Sequence, residues 1–253
     1  HFLSDAIAEI EGLLEEIEIL QEADGRKGIA SAADELCGSA LIGLSAFVNN
    51  GLGADYDTGD SGIGNFYGYY FKQTSNIDSS GKAWEQIGYS GSYYFAGNYD
   101  GSNYTILNMT STGKMMGGFA TAGLFDWVVF GFVSNVHVEH ADLKATGLGS
   151  YSYAGGITGI VFGSSITNCS VSDSVIESAR DKNNNCAGGI TVYSTGCTFE
   201  SCAAEGNTIK TMAYGGGFVG EVDDDYGVGT SSFTNCYVAN STVTAFTEEV
   251  QGG

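Results

Sequence analysis

The chain has 253 residues, with 39 glycines, no proline, 43% apolar residues and a formal net charge of −21. This composition excludes a collagen-like repeat, a proline-rich linker and a disordered acidic tail. The charge excludes a phosphate-gripping nucleic-acid binder and an anionic-membrane binder; it leaves cations or a basic partner, with solvated carboxylates as the plain reading.

No stretch reaches the roughly 18 uninterrupted apolar residues of a membrane span. The chain opens on HFLSDAIAEI, without Met or a basic leader, so a processed or trimmed start is expected and secretion stays open. Residues 1–25 form the first unit. Within them Leu3, Ile7, Ile10, Leu14 and Ile17 recur at three- and four-residue steps, which predicts an acidic amphipathic helix over 2–23, stopped by Asp24-Gly25. Its stripe must be buried somewhere. Docking on a solenoid, a neighbour's in preference to its own, makes this helix the expected assembly contact or cap. Residues 26–50 form a second, capping unit, with a helix over 31–49 that ends at Asn50-Gly51.

From Gly51 to Gly253 the pattern changes to short alternating runs divided by Gly, Asn, Asp and Ser. Cys169 in SSITNCSV, Cys202 in CTFESCAA and Cys236 in SSFTNCYV stand 33 and 34 residues apart, with Val136 in the same slot one step earlier. A glycine-rich run precedes each slot: AGLFDWVV, AGGITGIV, AGGITVYS, GGGFVGEV. A fixed period of that length, built from strand-like runs, predicts a β-solenoid whose rungs pair with those above and below. Ile157, Ile166, Val171, Val175, Ile190, Phe199, Phe218, Phe233 and Val238 are expected to point inward. The glycine pairs are expected at tight bends, and Asn135, Asn168 and Asn235 at left-handed corners whose amides stack.

AGGITGIV…ITNCSV and GGGFVGEV…FTNCYV resemble the GLUG-motif repeats of bacterial and archaeal surface proteins. The run LSAFVNNG, FKQTSNIDSSGKAWEQIG, YYFAGNYDGSNYTILNMT, AGLFDWV is similar to the opening of such solenoids. The resemblance spans roughly residues 41–246. It implies an all-β fold, a right-handed parallel β-helix with N-terminal α-helices, placed outside the cell or on its surface. It also implies an adhesive or structural role more than catalysis. Glu85-Gln86 stand where the family usually has proline, and helix 2–23 is outside its pattern.

Chemistry-bearing clusters are sparse. The six cysteines form no C-x-x-C pair; Cys169, Cys202 and Cys236 read as small buried fillers, and Cys186 with Cys197 as either a disulfide or free thiols. Asp55, Asp57 and Asp60 alternate in a glycine-containing loop, the arrangement of a calcium site without its closing acid, or a solvated turn. Asp223, Asp224 and Asp225 fill an insertion in the last repeat. In HVEH, His137 and Glu139 are expected on the solvent face and His140 opposite, which suits no single metal. Arg180 and Lys182 are the bases a polysaccharide-lyase reading would use, but no carboxylate pair recurs in register with them. Among the N-x-[ST] sequons, Asn103 and Asn108 are the better glycosylation candidates; Asn168 reads as a turn residue.

The reading is therefore a non-enzymatic extracellular structural or adhesive β-solenoid that requires no cofactor. Its expected partners are further copies, in an oligomer or surface filament, and a surface glycan or protein ligand. The alternative is a carbohydrate-active β-helix enzyme or a carbohydrate-binding module.

Overall fold

A computed structural model describes residues 17–21, 27–31, 41–45, 48–49, 66–88, 93–116, 118–146, 150–178, 184–224 and 227–246; for 17–21, 27–31 and 114–116 only the backbone is described. The chain winds as a parallel β-solenoid of about five turns, each full rung laying one strand in each of five sheets. One such rung runs Tyr151–Gly155, Thr158–Phe162, Ser165–Thr167, Ser170–Ser172, Val175–Ser178. The next runs Asn185–Gly188, Thr191–Thr195, Thr198–Glu200, Ala203–Glu205, Thr208–Thr211. The 33-residue step holds in register: Ile166 pairs with Phe199, Val171 with Ala204 and Ile176 with Ile209.

Strands of two or three residues cannot bury a face alone, so the core consists of columns that run through successive rungs. Tyr99, Val133, Ile166, Phe199 and Phe233 form one column. Ile106, Val138, Val171, Ala204 and Val238 form another. Each fully buried side chain of this size contributes about 1.5–3 kcal/mol. Five of the expected inward residues, Ile157, Ile166, Val171, Ile190 and Phe199, are fully buried. Val175 is a correction. It is half-buried, and Ile176 beside it takes the inward place, because the strand starts one residue out of the assumed frame. Phe233 and Val238 keep their columns but are exposed, and Phe218 is half-buried; theirs is the last described rung, and no described strand stacks beyond it.

The corners explain the repeated Asn-Cys and Ser-Ser words. Asn103, Asn135, Asn168, Ser201 and Asn235 all have φ between 50° and 62°, the left-handed corner region that Asn tolerates best. Two of the three expected amides stack: Asn168 Nδ2 donates to Asn135 Oδ1 at 2.8 Å, and Asn135 Nδ2 in turn to the Asp100 carboxylate Oδ1 at 2.8 Å, whereas the corner before Asn235 is Ser201. The residue after each corner turns its N–H toward the interior, away from the strand ladder. A small polar side chain one rung on receives it. Ala141 N–H donates to Ser174 Oγ (2.9 Å), Ser174 N–H to Asn207 Oδ1 (3.0 Å), and Asn207 N–H to Ser241 Oγ (3.1 Å). Ser164 N–H reaches the Cys197 sulfur and Cys169 N–H the Cys202 sulfur, each at 3.5 Å. The cysteines are thus hydrogen-bonding members of a ladder as well as fillers. The five described ones are all free, so Cys186 and Cys197 are not bonded to each other.

Removing one such acceptor strands a buried N–H. Ser174→Ala is expected to lower stability by about 1–3 kcal/mol, read from the urea midpoint. A midpoint equal to wild type would show that the ladder is incidental.

The N-terminal end differs from the expected pair of helices, which is not confirmed. Ile17–Gln21 is a strand, antiparallel to Lys27–Ser31, which pairs in parallel with Tyr70–Lys72. The word EIEIL alternates at period two as well as at helical period, and its acids have no base for helical i,i+4 pairs. Leu3, Ile7, Ile10 and Leu14 lie outside the described residues. Of the second helix only 41–45 and 48–49 are described as helical. These close the first turn: Leu41 and Val48 join the core, Ser45 Oγ donates to the Glu85 and Gln86 carbonyls, and Asn49 Nδ2 donates to the Gln86 carbonyl. No helix among the described residues is long and apolar enough to cross a membrane.

Candidate functional site

The last rung comprises Tyr214–Gly216, Val219–Asp223, Ser232–Thr234, Tyr237–Ala239 and Thr242–Ala245, and each strand ends its sheet. Every one pairs with the previous rung on one side and with no described strand on the other. Among the described residues the core columns therefore stop here. Phe233 is 44% exposed, Val238 44% and Val243 43%, whereas Phe199 and Ile209, one rung earlier, are 0% exposed. The end face is held flat by aromatic packing: Phe233 stacks on Phe199 at 4.9 Å and 5°, with Phe218 edge-on to both. It combines an apolar centre with five strand edges, the two features that drive strand addition. Glu221 and Asp223 lie to one side of it, on the strand Val219–Asp223.

At the opposite end of the described residues two of the five sheets finish differently. The sheet that holds Ser165–Thr167 finishes in the antiparallel hairpin strand Ile17–Gln21, and the one that holds Tyr151–Gly155 in Lys114–Met116, antiparallel to Phe119–Ala122; the other three finish in the parallel strands Phe125–Val129, Ile77–Asp78 and Thr110–Ser111.

On the flank, the second outward corner carries Asn108, His140, Asp173, Gly206 and Asn240, all at positive φ. This corrects the reading of HVEH. His140 does not continue the strand to its opposite face but turns at the corner, so ligand atoms of Glu139, His140 and Asp173 lie within 4.8 Å of one another. All three are exposed or half-buried, as solvated corner groups commonly are. His137 faces outward as expected, with Nδ1 at 2.7 Å from Ser170 Oγ and burial holding its pKa below the usual imidazole value. It is therefore mostly neutral at pH 7.

Of the other sequence candidates only some are described. Asp55, Asp57 and Asp60 lie outside the described residues, as do Arg180, Lys182 and Asp225. Asn103 is exposed at its corner, accepting from Asn168 Nδ2 at 2.9 Å; Asn108 is half-buried and donates to Asp78 Oδ1 at 2.9 Å. The hydrogen bonds from Asn108 and Ser80 hold the Asp78 carboxyl down at about 2. Sequence reasoning found the columns but not their exposure at this end.

By fold the protein is a parallel β-solenoid of repeated short-stranded rungs. The GLUG motif is matched at residues 150–176, which covers the first four strands of one rung and the start of its fifth, Val175–Ser178. No curated protein matches the chain. Among solved structures it is similar to a "putative immunoglobulin A1 protease" from Bacteroides ovatus, at 17% identity and a TM-score of 0.45, over 89% of this chain and 78% of that one.

Proposed function

We propose that the protein is a non-enzymatic structural and adhesive β-solenoid, displayed outside the cell, whose copies associate through the last described rung. The carrying observation is the exposure of the core columns there, at Phe233, Val238 and Val243, framed by five strand edges with no described partner. The GLUG motif, whose family is typically found in secreted surface proteins, supports the location.

The occupant we assign to this face is the same face of a second copy. Head-to-tail growth into a filament would need a parallel rung edge in all five sheets at the other end, and among the described residues two of the five finish there in antiparallel strands. Two last rungs meeting about a two-fold axis need only their own edges, paired antiparallel, and such a contact closes. A net charge of −21 on each copy opposes the pairing at low ionic strength, and salt screens that repulsion.

Sedimentation across protein concentration, at low and high salt, tests this. A monomer at low salt and a dimer at high salt are expected. Phe233→Lys or Val238→Lys should weaken the dimer at least tenfold, about 1.4 kcal/mol, while leaving the fold intact, since both side chains lie on the exposed face of the rung, each 44% exposed. A monomer under every condition would refute the assembly.

A further inference from the structure

A second apolar cluster lies outside the solenoid core. Tyr153, Ile160, Cys186 and Val192 are buried in it, with half-buried Phe119, Trp127, Tyr151 and Tyr193 packed against them. They come from two sheets that meet at the glycine bends. Tyr153 shares a column with Thr121, Cys186 and Tyr214; Ile160 shares one with Trp127, Tyr193 and Glu221. The chain folds back so sharply at each glycine pair that the outer faces of the two strands meet in a re-entrant angle along the axis, the cleft, in which these side chains pack on one another.

The walls are aromatic and partly open. Phe119 stacks on Tyr151 at 4.7 Å and 15°, and Trp127 packs edge-on to Phe119 at 6.0 Å. At the other end Tyr193 donates its hydroxyl to Asp223, Cys186 Sγ lies 3.8 Å from Glu221 Oε2, and Tyr214 is exposed. Burial, then the charge of Glu221, pushes the Cys186 thiol up to about 12, so it stays protonated and inert.

The head of the cleft holds buried polar atoms with no protein partner: Trp127 Nε1 and Asp126 Oδ1. Asp126 is 97% buried, hydrogen-bonds Thr121, and stands in register with Val192 of the cluster two rungs on. Buried polar atoms are otherwise almost always paired.

We propose that this cleft binds a non-acidic glycan laid along the solenoid axis. The rungs repeat at about 4.8 Å, close to the length of one sugar unit, so successive rungs can offer an aromatic face to successive rings. Half-exposed Tyr and Trp rings stack on the apolar faces of a pyranose while their polar edges take its hydroxyls. The cleft's charges are carboxylates, which repel a uronate chain and accept from hydroxyl or amino groups. The proposal rests on, and deepens, the adhesive half of the reading above; a failure of rung pairing would leave it untouched.

The test is calorimetric titration of the full chain at low salt with chito-, cello- and xylo-oligosaccharides, and with an oligogalacturonate as the acidic comparison. Saturable binding of at least one neutral oligomer is expected, none of the oligogalacturonate, and a shift in Trp127 fluorescence that is lost in Trp127→Phe. Tyr151→Ala and Tyr193→Ala, each at a half-exposed ring, should weaken binding at least fivefold with unchanged circular dichroism. Phe233→Lys, on the end face, should bind as wild type. Preference for the acidic oligomer, no saturable binding of any neutral one, binding of a basic peptide alone, or full affinity in both tyrosine variants would overturn it.

Discussion

Gly188→Ala is expected to be the most damaging single substitution in the chain. A Cβ there would lie 1.9 Å from the Thr191 carbonyl oxygen and 2.8 Å from Gly220 N; both are backbone atoms that no rotamer change can move. The equivalent glycines are equally tight, at 2.1 Å for Gly155 against the Thr158 oxygen and 1.8 Å for Gly216 against the Val219 oxygen. The bend between the two walls of the cleft folds each residue under the carbonyl three positions on. Opening it by more than an ångström would break registers on both sides. A loss on the order of 4 kcal/mol or more is expected, enough to unfold most small domains. Gly68→Ala is the control: its φ is +78° but nothing lies within 4 Å, so about 1 kcal/mol is expected. Denaturant midpoints of the two variants decide the matter, and near-equal losses would contradict the close-approach account.

The pH dependence of stability should carry the signature of one carboxyl. Burial raises the Asp126 pKa from the ordinary value to about 8, partly offset by the hydrogen bond to Thr121. The native state therefore holds a proton that the unfolded chain releases near pH 4. Between those values the unfolded state binds fewer protons, so stability falls as pH rises. The slope is about 1.4 kcal/mol per pH unit at its steepest, flattening above pH 8. Asp126→Asn removes the titration while keeping a polar group of the same shape. It should be less pH-sensitive across pH 4 to 8 and more stable than wild type at pH 8. Parallel curves for the two proteins would show that Asp126 does not hold its proton.

The period was legible because side chains in a solenoid answer mainly to the rung above and below. Aligning Cys169, Cys202 and Cys236 therefore placed the columns, the left-handed asparagines and the glycine pairs together. What failed was frame and neighbourhood. Val175 and Ile176 are both β-branched, so alternation alone could not say which faces in. Ile17 to Gln21 satisfies two periods, and partnership with Lys27–Ser31, not propensity, selects the strand. The cleft was hidden for another reason. Tyr151 and Tyr153 were given no face by the pattern, and only the angle at Gly155-Gly156 makes one outer face meet another. Asp126, inside FDWVV, gave no sign that it would be sealed beneath Thr121. The helix over 2–23 lies mostly outside the described residues, and its assigned stripe with it.

Pairing of last rungs is tested most directly by amide hydrogen exchange, followed as a function of protein concentration at high salt. The account predicts that protection rises with concentration in the edge strands Tyr214–Gly216, Ser232–Thr234, Tyr237–Ala239 and Thr242–Ala245. Strands in the middle of the stack, such as Ser165–Thr167, already have neighbours on both sides and should not change. Phe233→Lys should abolish the rise. Exchange in the last rung that is independent of concentration, or a rise confined to the N-terminal end, would contradict it.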